Sequence, residues 1–231
     1  MLKNYNTALK VCAIVPLYNE EKYAGITIAA LQKIKSITKI IVIDDGSKDN
    51  TKYIIKKFNN ILIITHYKNK GKGESIKDGI MLYNADIYIF VDGDLGESAQ
   101  KIEILIDEVA NNCCDVCIAM LPDNKGTGGI GFLRMFSKLV VKVMTNTDFP
   151  CPLSGVRVLK KEVVQDSNVK VYPRYGIEVG MLIDIINMGY DIKVKSIDIS
   201  HRFTGRNLSG YLHRLRQFKD IASVFLYKLL R

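Results

Sequence analysis

Asp92-Gly93-Asp94 places two carboxylates one residue apart, directly after the apolar run Ile87 to Val91. Successive side chains on an extended strand point to opposite faces, so positions 92 and 94 share a face if the strand geometry persists that far. Two such carboxylates can hold one divalent cation. Hard oxygen ligands suit Mg2+ or Mn2+, ions that bridge the phosphates of a nucleotide. Alone the triplet is a weak signal, because Asp and Gly also favour turns. Three further polar sites follow apolar runs in the same way: Pro16-Leu17-Tyr18-Asn19-Glu20, Asp44-Asp45-Gly46-Ser47 and Asn69-Lys70-Gly71-Lys72-Gly73. An acid after the second strand of a doubly wound sheet can accept hydrogen bonds from a ribose or base, which points to Asp45 for binding and leaves Ser47 to cap the next helix. Cationic groups and glycines just before a helix, as at Lys70 to Gly73, can receive a phosphate. Ligands of open α/β sheets bind beyond the carboxyl ends of the strands, so the four sites together predict one active site.

The elements that must position these residues are legible as apolar periodicity. Strands are predicted at Val11 to Val15, Lys39 to Ile43, Ile61 to Thr65, Ile87 to Val91, Val116 to Met120, Ser154 to Leu159 and within Tyr190 to Ile199. Helical spacing recurs at Glu20 to Ile34, Tyr53 to Phe58, Gly73 to Tyr83, Ala99 to Asn111 and Gly176 to Met188. Runs this apolar mean strands covered on both faces, and their alternation with helices predicts an α/β fold with a doubly wound, mostly parallel sheet. The Gly-rich stretch Gly126 to Gly131 is either a mobile loop closing over a ligand or a plain connector.

The 231 residues suit one α/β domain, expected over residues 1–205, with residues 206–231 an amphipathic helix of the same unit. Apolar residues make up 48% and charged residues 25%, an ordinary soluble composition, and no apolar run is long enough to cross a membrane or serve as a signal peptide. A cytoplasmic location is expected, peripheral to the inner face of the cell membrane if the tail binds lipid. Among five cysteines, Cys114 and Cys117 have CxxC spacing, but no second pair accompanies them and Cys117 falls inside a predicted strand, so packing is the better reading. The formal net charge is +9, and from His201 to Arg231 seven Lys/Arg stand against one acid, Asp220. Such a tail suits an anionic partner or a solvated helix face. No aromatic-basic RNA motif is present, and nucleic acid is not expected.

The motifs Val15 to Glu21, Ile43 to Thr51, Asn69 to Gly73 and Asp92 to Asp94 resemble, in order over residues 10–120, those of the GT-A glycosyltransferases related to dolichyl-phosphate mannose synthase. The resemblance implies a nucleotide-sugar donor, its nucleoside held by Pro16, Tyr18, Glu20 and Asp45. It implies that Asp92, Gly93 and Asp94 hold metal and donor diphosphate, with Lys72 beside them and Asp94 in the catalytic centre. Pro152 to Gly155, Tyr175 to Gly180 and His201-Arg202 are similar to glucosyl-3-phosphoglycerate synthases, which implies His201 as a third metal ligand. Arg202 and Arg206 beside it suit a diphosphate. Glu178 is either a base toward the acceptor hydroxyl or a favourable charge at a helix start.

The acceptor reading divides. Leu208, Tyr211, Leu212, Leu215, Phe218, Ala222, Phe225 and Leu229 recur at helical spacing among basic residues. Such a helix lies on an anionic membrane, as a lipid or polyprenyl-phosphate acceptor would require, or packs on the domain or on a second subunit in a homodimer. The second-half resemblance points instead to a small soluble phosphorylated acceptor. UDP is the expected carrier, with GDP second. A nucleotidyltransferase would need a Gly-rich loop after the first strand, where Pro16 to Glu20 stand. A non-catalytic nucleotide-sugar-binding module would have no need of both DxD carboxylates and His201.

Overall fold

Each strand sends alternate side chains into two cores, one on either face of the sheet. Val11, Ala13, Val15 and Leu17 point into one, Cys12 and Ile14 into the other; Ile40 and Val42 against Ile41 and Ile43, and Ile87 and Ile89 against Tyr88 and Phe90, repeat the division. The computed structural model describes residues 9–120, 130–198 and 208–230, with 130 and 208–213 as backbone only.

The elements are β1 (Val11–Leu17), α1 (Ala24–Leu31), β2 (Lys39–Asp44), α2 (Thr51–Ile55), β3 (Ile61–Thr65), α3 (Lys72–Leu82), β4 (Ile87–Phe90), a 3-10 turn (Gly96–Ile102) entering α4 (Glu103–Ala110), β5 (Val116–Met120), α5 (Ile130–Thr145), β6 (Arg157–Lys160), α6 (Lys161–Gln165), α7 (Gly176–Asn187), β7 (Ile192–Ser196) and α8 (Leu208–Leu229). They form one sheet of order β3-β2-β1-β4-β6-β5-β7. Only β6 runs against its neighbours β4 and β5. This is the expected doubly wound, mostly parallel architecture. The strand order reverses between β1 and β4, which opens a crevice at their carboxyl ends. Pro16 fits the interior strand β1 because β4 pairs only as far as Ile14, so its missing N–H costs no ladder bond.

Two expectations change. The strand foreseen from Ser154 begins only at Arg157, because Ser154 turns back to donate its N–H to the Cys151 carbonyl at 3.1 Å. And β4 ends at Phe90, so Asp92-Gly93-Asp94 lies in a turn and not on a continuing strand face.

The tail helix α8 exists, and the middle of its apolar stripe is turned inward while Leu215 and Leu229 stay exposed. Ile221 and Val224 are buried, and Phe218 and Phe225 pack on the core shared with α5 and α7. Lys228 pairs with Asp184 of α7 and sits 4.9 Å from the centre of the Tyr172 ring. Cys114 and Cys117 are buried free thiols, and burial pushes the thiols of Cys12 and Cys117 up to about 12, far from a reactive thiolate.

Candidate active site

The loops after β1, β2, β3 and β4 enclose a cleft of about 600 Å³. One wall carries Pro16, Tyr18, Glu20 and Asp45; the floor carries Lys72, Asp92, Gly93 and Asp94; the far wall is Tyr175 and Glu178 at the start of α7. Nine of the expected site residues are thus brought together. His201, Arg202 and Arg206, and Gly126 to Gly129 of the Gly-rich stretch, lie outside the described residues. A second depression, of about 510 Å³ at the opposite strand ends near Lys39 and Asn59, is lined by no carboxylate.

Lys72 joins the floor of the cleft to its far wall. Its ammonium donates to Asp92 Oδ1 at 2.5 Å and to Glu178 Oε1 at 2.7 Å. Burial works against its charge, but Asp92 first and Glu178 second more than offset this, and its pKa lies above the ordinary lysine value. Lys72 is therefore a fixed cation and cannot serve as a proton acceptor near neutral pH. Gly155 leaves room for the Lys72–Asp92 contact, because a Cβ there would displace Asp92 Oδ2 and Lys72 Nζ. Tyr175 is pushed up to about 12, by burial first and then by the Glu178 charge, so it stays a neutral phenol.

Asp45, 3% exposed, organises the loop between β3 and α3. Its Oδ1 accepts the Lys70 N–H at 2.8 Å and its Oδ2 accepts the Gly71 N–H at 2.8 Å. Gly71 holds φ at +101°, a conformation in which other residues are strained. Behind Asp45 lies a buried histidine that the sequence did not single out. His66 Nδ1 is 2.6 Å from Asp45 Oδ1, and Nε2 is 2.9 Å from Asp78 Oδ2 on α3. Its only sequence signal was its place immediately after β3.

The capping expected of Ser47 falls to Asp49, which accepts from the Thr51 N–H at 3.0 Å and its hydroxyl at 2.5 Å. Ser47 instead accepts the Asn19 N–H at 3.0 Å and so joins the first two loops. Asp44 Oδ1 accepts the Ser47 N–H at 3.0 Å, and of the pair it is Asp45 that lines the cleft.

Arg157, also absent from the sequence reading, is 2% exposed. It donates to the carbonyls of Ser154 at 2.9 Å, Pro152 at 3.1 Å and Glu178 at 2.7 Å. Pro152 to Gly155 and the first turn of α7 are clamped through this one guanidinium. Arg174, a further cation lining the cleft, adopts φ +50°, a strained conformation for a non-glycine residue, and Gln217 reaches the cleft from α8.

A divalent cation fits the residues present. Asp92 and Asp94 are hard oxygen donors on the floor of the cleft, and Asp92 already holds a cationic group at 2.5 Å. Among the described residues no third His, Cys, Asp or Glu completes a ligand cluster.

Residues 12–167 match the family model described as Glycosyl transferase family 2, more than half of the chain. The chain belongs to this family. This family 2 protein is accordingly a nucleotide-sugar-dependent glycosyltransferase. Among its relatives, an uncharacterized protein of Methanocaldococcus jannaschii is 25% identical over 208 residues, covering 82% of this chain and 87% of the relative. A dolichyl-phosphate beta-glucosyltransferase of Trichomonas vaginalis is 32% identical over 109 residues, covering 42% of this glycosyltransferase and 34% of the relative. Its fold is that of glucosyl-3-phosphoglycerate synthase from Mycobacterium tuberculosis, solved with Mn2+, UDP-glucose and phosphoglyceric acid. The TM-score is 0.76 at 19% identity, covering 94% of this chain and 80% of that one. The GT-A fold expected for the family 2 chain is thus present.

Proposed function

We propose that this chain transfers a sugar from UDP to a lipid or polyprenyl-phosphate acceptor at a membrane surface, with Mg2+ or Mn2+ as cofactor. The observation that carries the donor half is the cleft at the β1/β4 reversal, where Asp45, Lys72, Asp92 and Asp94 converge from the ends of three strands. In this reading Pro16, Tyr18, Glu20 and Asp45 hold the nucleoside. Asp45 spends three of its four lone pairs on His66, Lys70 and Gly71, and the fourth suits a base or ribose donor. Asp92 and Asp94, completed by His201, hold the metal, and Gly93, Arg202 and Arg206 lie along the diphosphate. The metal would neutralise charge that develops on the leaving diphosphate. Lys72 adds a fixed positive charge at the same place, preorganised by two carboxylates.

Glu178 stands on the opposite wall, where an acceptor hydroxyl would lie, and its contact with Lys72 fixes its orientation. UDP is favoured because the structure of like fold was solved with a UDP-sugar and Mn2+. The lipid acceptor draws support from the dolichyl-phosphate enzyme among the relatives.

The test is transfer from a panel of UDP- and GDP-sugars to extracted membrane lipids or, separately, to 3-phosphoglycerate and similar small phosphorylated acids. Label appearing in the lipid phase supports the proposal. Transfer only to the small acids replaces the lipid acceptor with the soluble one. Binding without turnover of any donor would leave a nucleotide-sugar-binding module.

One consequence concerns His66. Replacing it with alanine removes one of the three partners that orient Asp45, a partner outside the cleft lining, and losing such a supporting hydrogen bond costs ~10- to 100-fold. His66→Ala is expected to raise KM for the donor about tenfold while kcat stays within about threefold. Steady-state kinetics with saturating acceptor checks it, and an effect confined to kcat would contradict the role.

A further inference from the structure

Among the described residues, helix α5 carries an apolar face that is largely uncovered. Phe132, Met135, Leu139 and Val143 are each between 57% and 63% exposed. At 3.6 residues per turn they fall within an arc of about 80° and run for about 17 Å along the helix. The opposite face is the buried one, through Leu133, Ser137, Val140 and Val141. The stripe continues onto α8. Phe132 and Phe136 pack on Phe218 with ring centres 5.8 and 4.6 Å apart, and Leu215, one turn before Phe218, is 62% exposed.

Large apolar side chains exposed side by side mark an interaction surface. The charge beside them says which kind. Arg134, Lys138 and Lys142 follow the stripe on one flank, within the next ~100° of arc, and α5 contains no acid. Arg216 and Lys219 add exposed positive charge on α8. An apolar face with a cationic flank matches a bilayer whose head groups are anionic. A second copy of the chain fits less well. A two-fold contact sets a surface against itself, and here the cations Arg134, Lys138, Lys142, Arg216 and Lys219 outnumber the neighbouring acids Asp220 and Asp148, the latter paired with Lys142 at 2.7 Å.

We propose that α5, extended by the first turns of α8, is the surface by which this protein lies on anionic lipid. This deepens the membrane-acceptor reading and moves the contact from the inward-turned stripe of α8 to the outward stripe of α5. The apolar side chains enter the boundary between head groups and acyl chains, and the basic flank meets the head groups. The helix rests on the membrane and does not cross it; no described helix is long and apolar enough to cross one.

The experiment is co-sedimentation of the full chain with vesicles of phosphatidylglycerol and phosphatidylcholine, and with phosphatidylcholine alone, at low and high salt. No vesicle contains polyprenyl phosphate, so the result is independent of the acceptor. The wild type is expected to bind the anionic vesicles and to be weakened by salt. The triple variant Met135→Ser, Leu139→Ser, Val143→Ser should bind at least about tenfold less, with little change in thermal unfolding because all three side chains are exposed. The pair Lys138→Glu, Lys142→Glu should lose binding to anionic vesicles by roughly tenfold or more.

Absence of wild-type binding to any vesicle would overturn the proposal, as would undiminished binding by the triple variant. A wild-type dimer that the triple variant abolishes, without vesicle binding, would assign the face to a second copy instead. Vesicle binding combined with transfer only to small acids would keep the surface and sink the lipid acceptor, so the two readings fail separately.

Discussion

Asp94→Ala is expected to lower kcat/KM for the donor about 10²- to 10³-fold, the cost typical of removing one preorganised group that stabilises transition-state charge. Asp94 lines the cleft beside Asp92 in the turn after β4. With only one of the two floor carboxylates left, the metal loses a hard ligand while the fold keeps every strand contact. Unfolding free energy should therefore stay within about 0.5 kcal/mol of wild type. Donor hydrolysis measured across a Mn2+ titration, beside thermal unfolding, checks both halves. Unchanged kinetics at limiting metal would remove Asp94 from the metal site.

Lys72→Met should damage both stability and turnover. The ammonium satisfies two carboxylates at once, and Lys72 and Glu178 are nearly buried, with side chains 13% and 8% exposed. Removing it takes from Asp92 and Glu178 the ammonium they share at 2.5 and 2.7 Å. Breaking a buried pair in this way costs about 3 kcal/mol. The folded-state pKa of Lys72 is raised, so its stabilisation is complete below the unfolded lysine value of about 10.4 and is lost only as pH rises through the folded value. The deficit of the variant should therefore be flat between about pH 7 and pH 9. Urea unfolding at both values checks this, and a deficit that shrinks toward pH 9 would mean that the lysine titrates there. Turnover should fall about 10²-fold as the fixed cation is lost.

Much of this was visible before the fold. The strands could be read because their alternation serves two cores, and Val116 to Met120 was placed to the residue. Lys72, Asp92 and Glu178 could each be named, since each stands at the boundary of an apolar run. Their union in one network could not, because Lys72 and Glu178 are separated by 106 positions and meet only when α3 and α7 pack. Asp92 and Asp94 do line one cleft, but from a turn: β4 ends at Phe90, so strand alternation is not what brings them there. His66 and Arg157 escaped notice because each is a lone polar residue beside apolar ones, and the contacts that give it a place at the site, His66 to Asp45 and Arg157 to the Glu178 carbonyl, each span 21 positions. The inward turn of α8 was also hidden. An amphipathic pattern shows that a face exists, and packing on α5 and α7 decides what it meets.

The measurement that tests the central claim most directly is calorimetric binding of UDP and GDP to the full chain, with Mn2+ and with chelator, in wild type and Asp94→Ala. The account predicts UDP binding to the wild type that requires the metal and is lost in the variant, with GDP weaker. Equal UDP binding with chelator, or in Asp94→Ala, would contradict a metal-held diphosphate on the floor of this cleft.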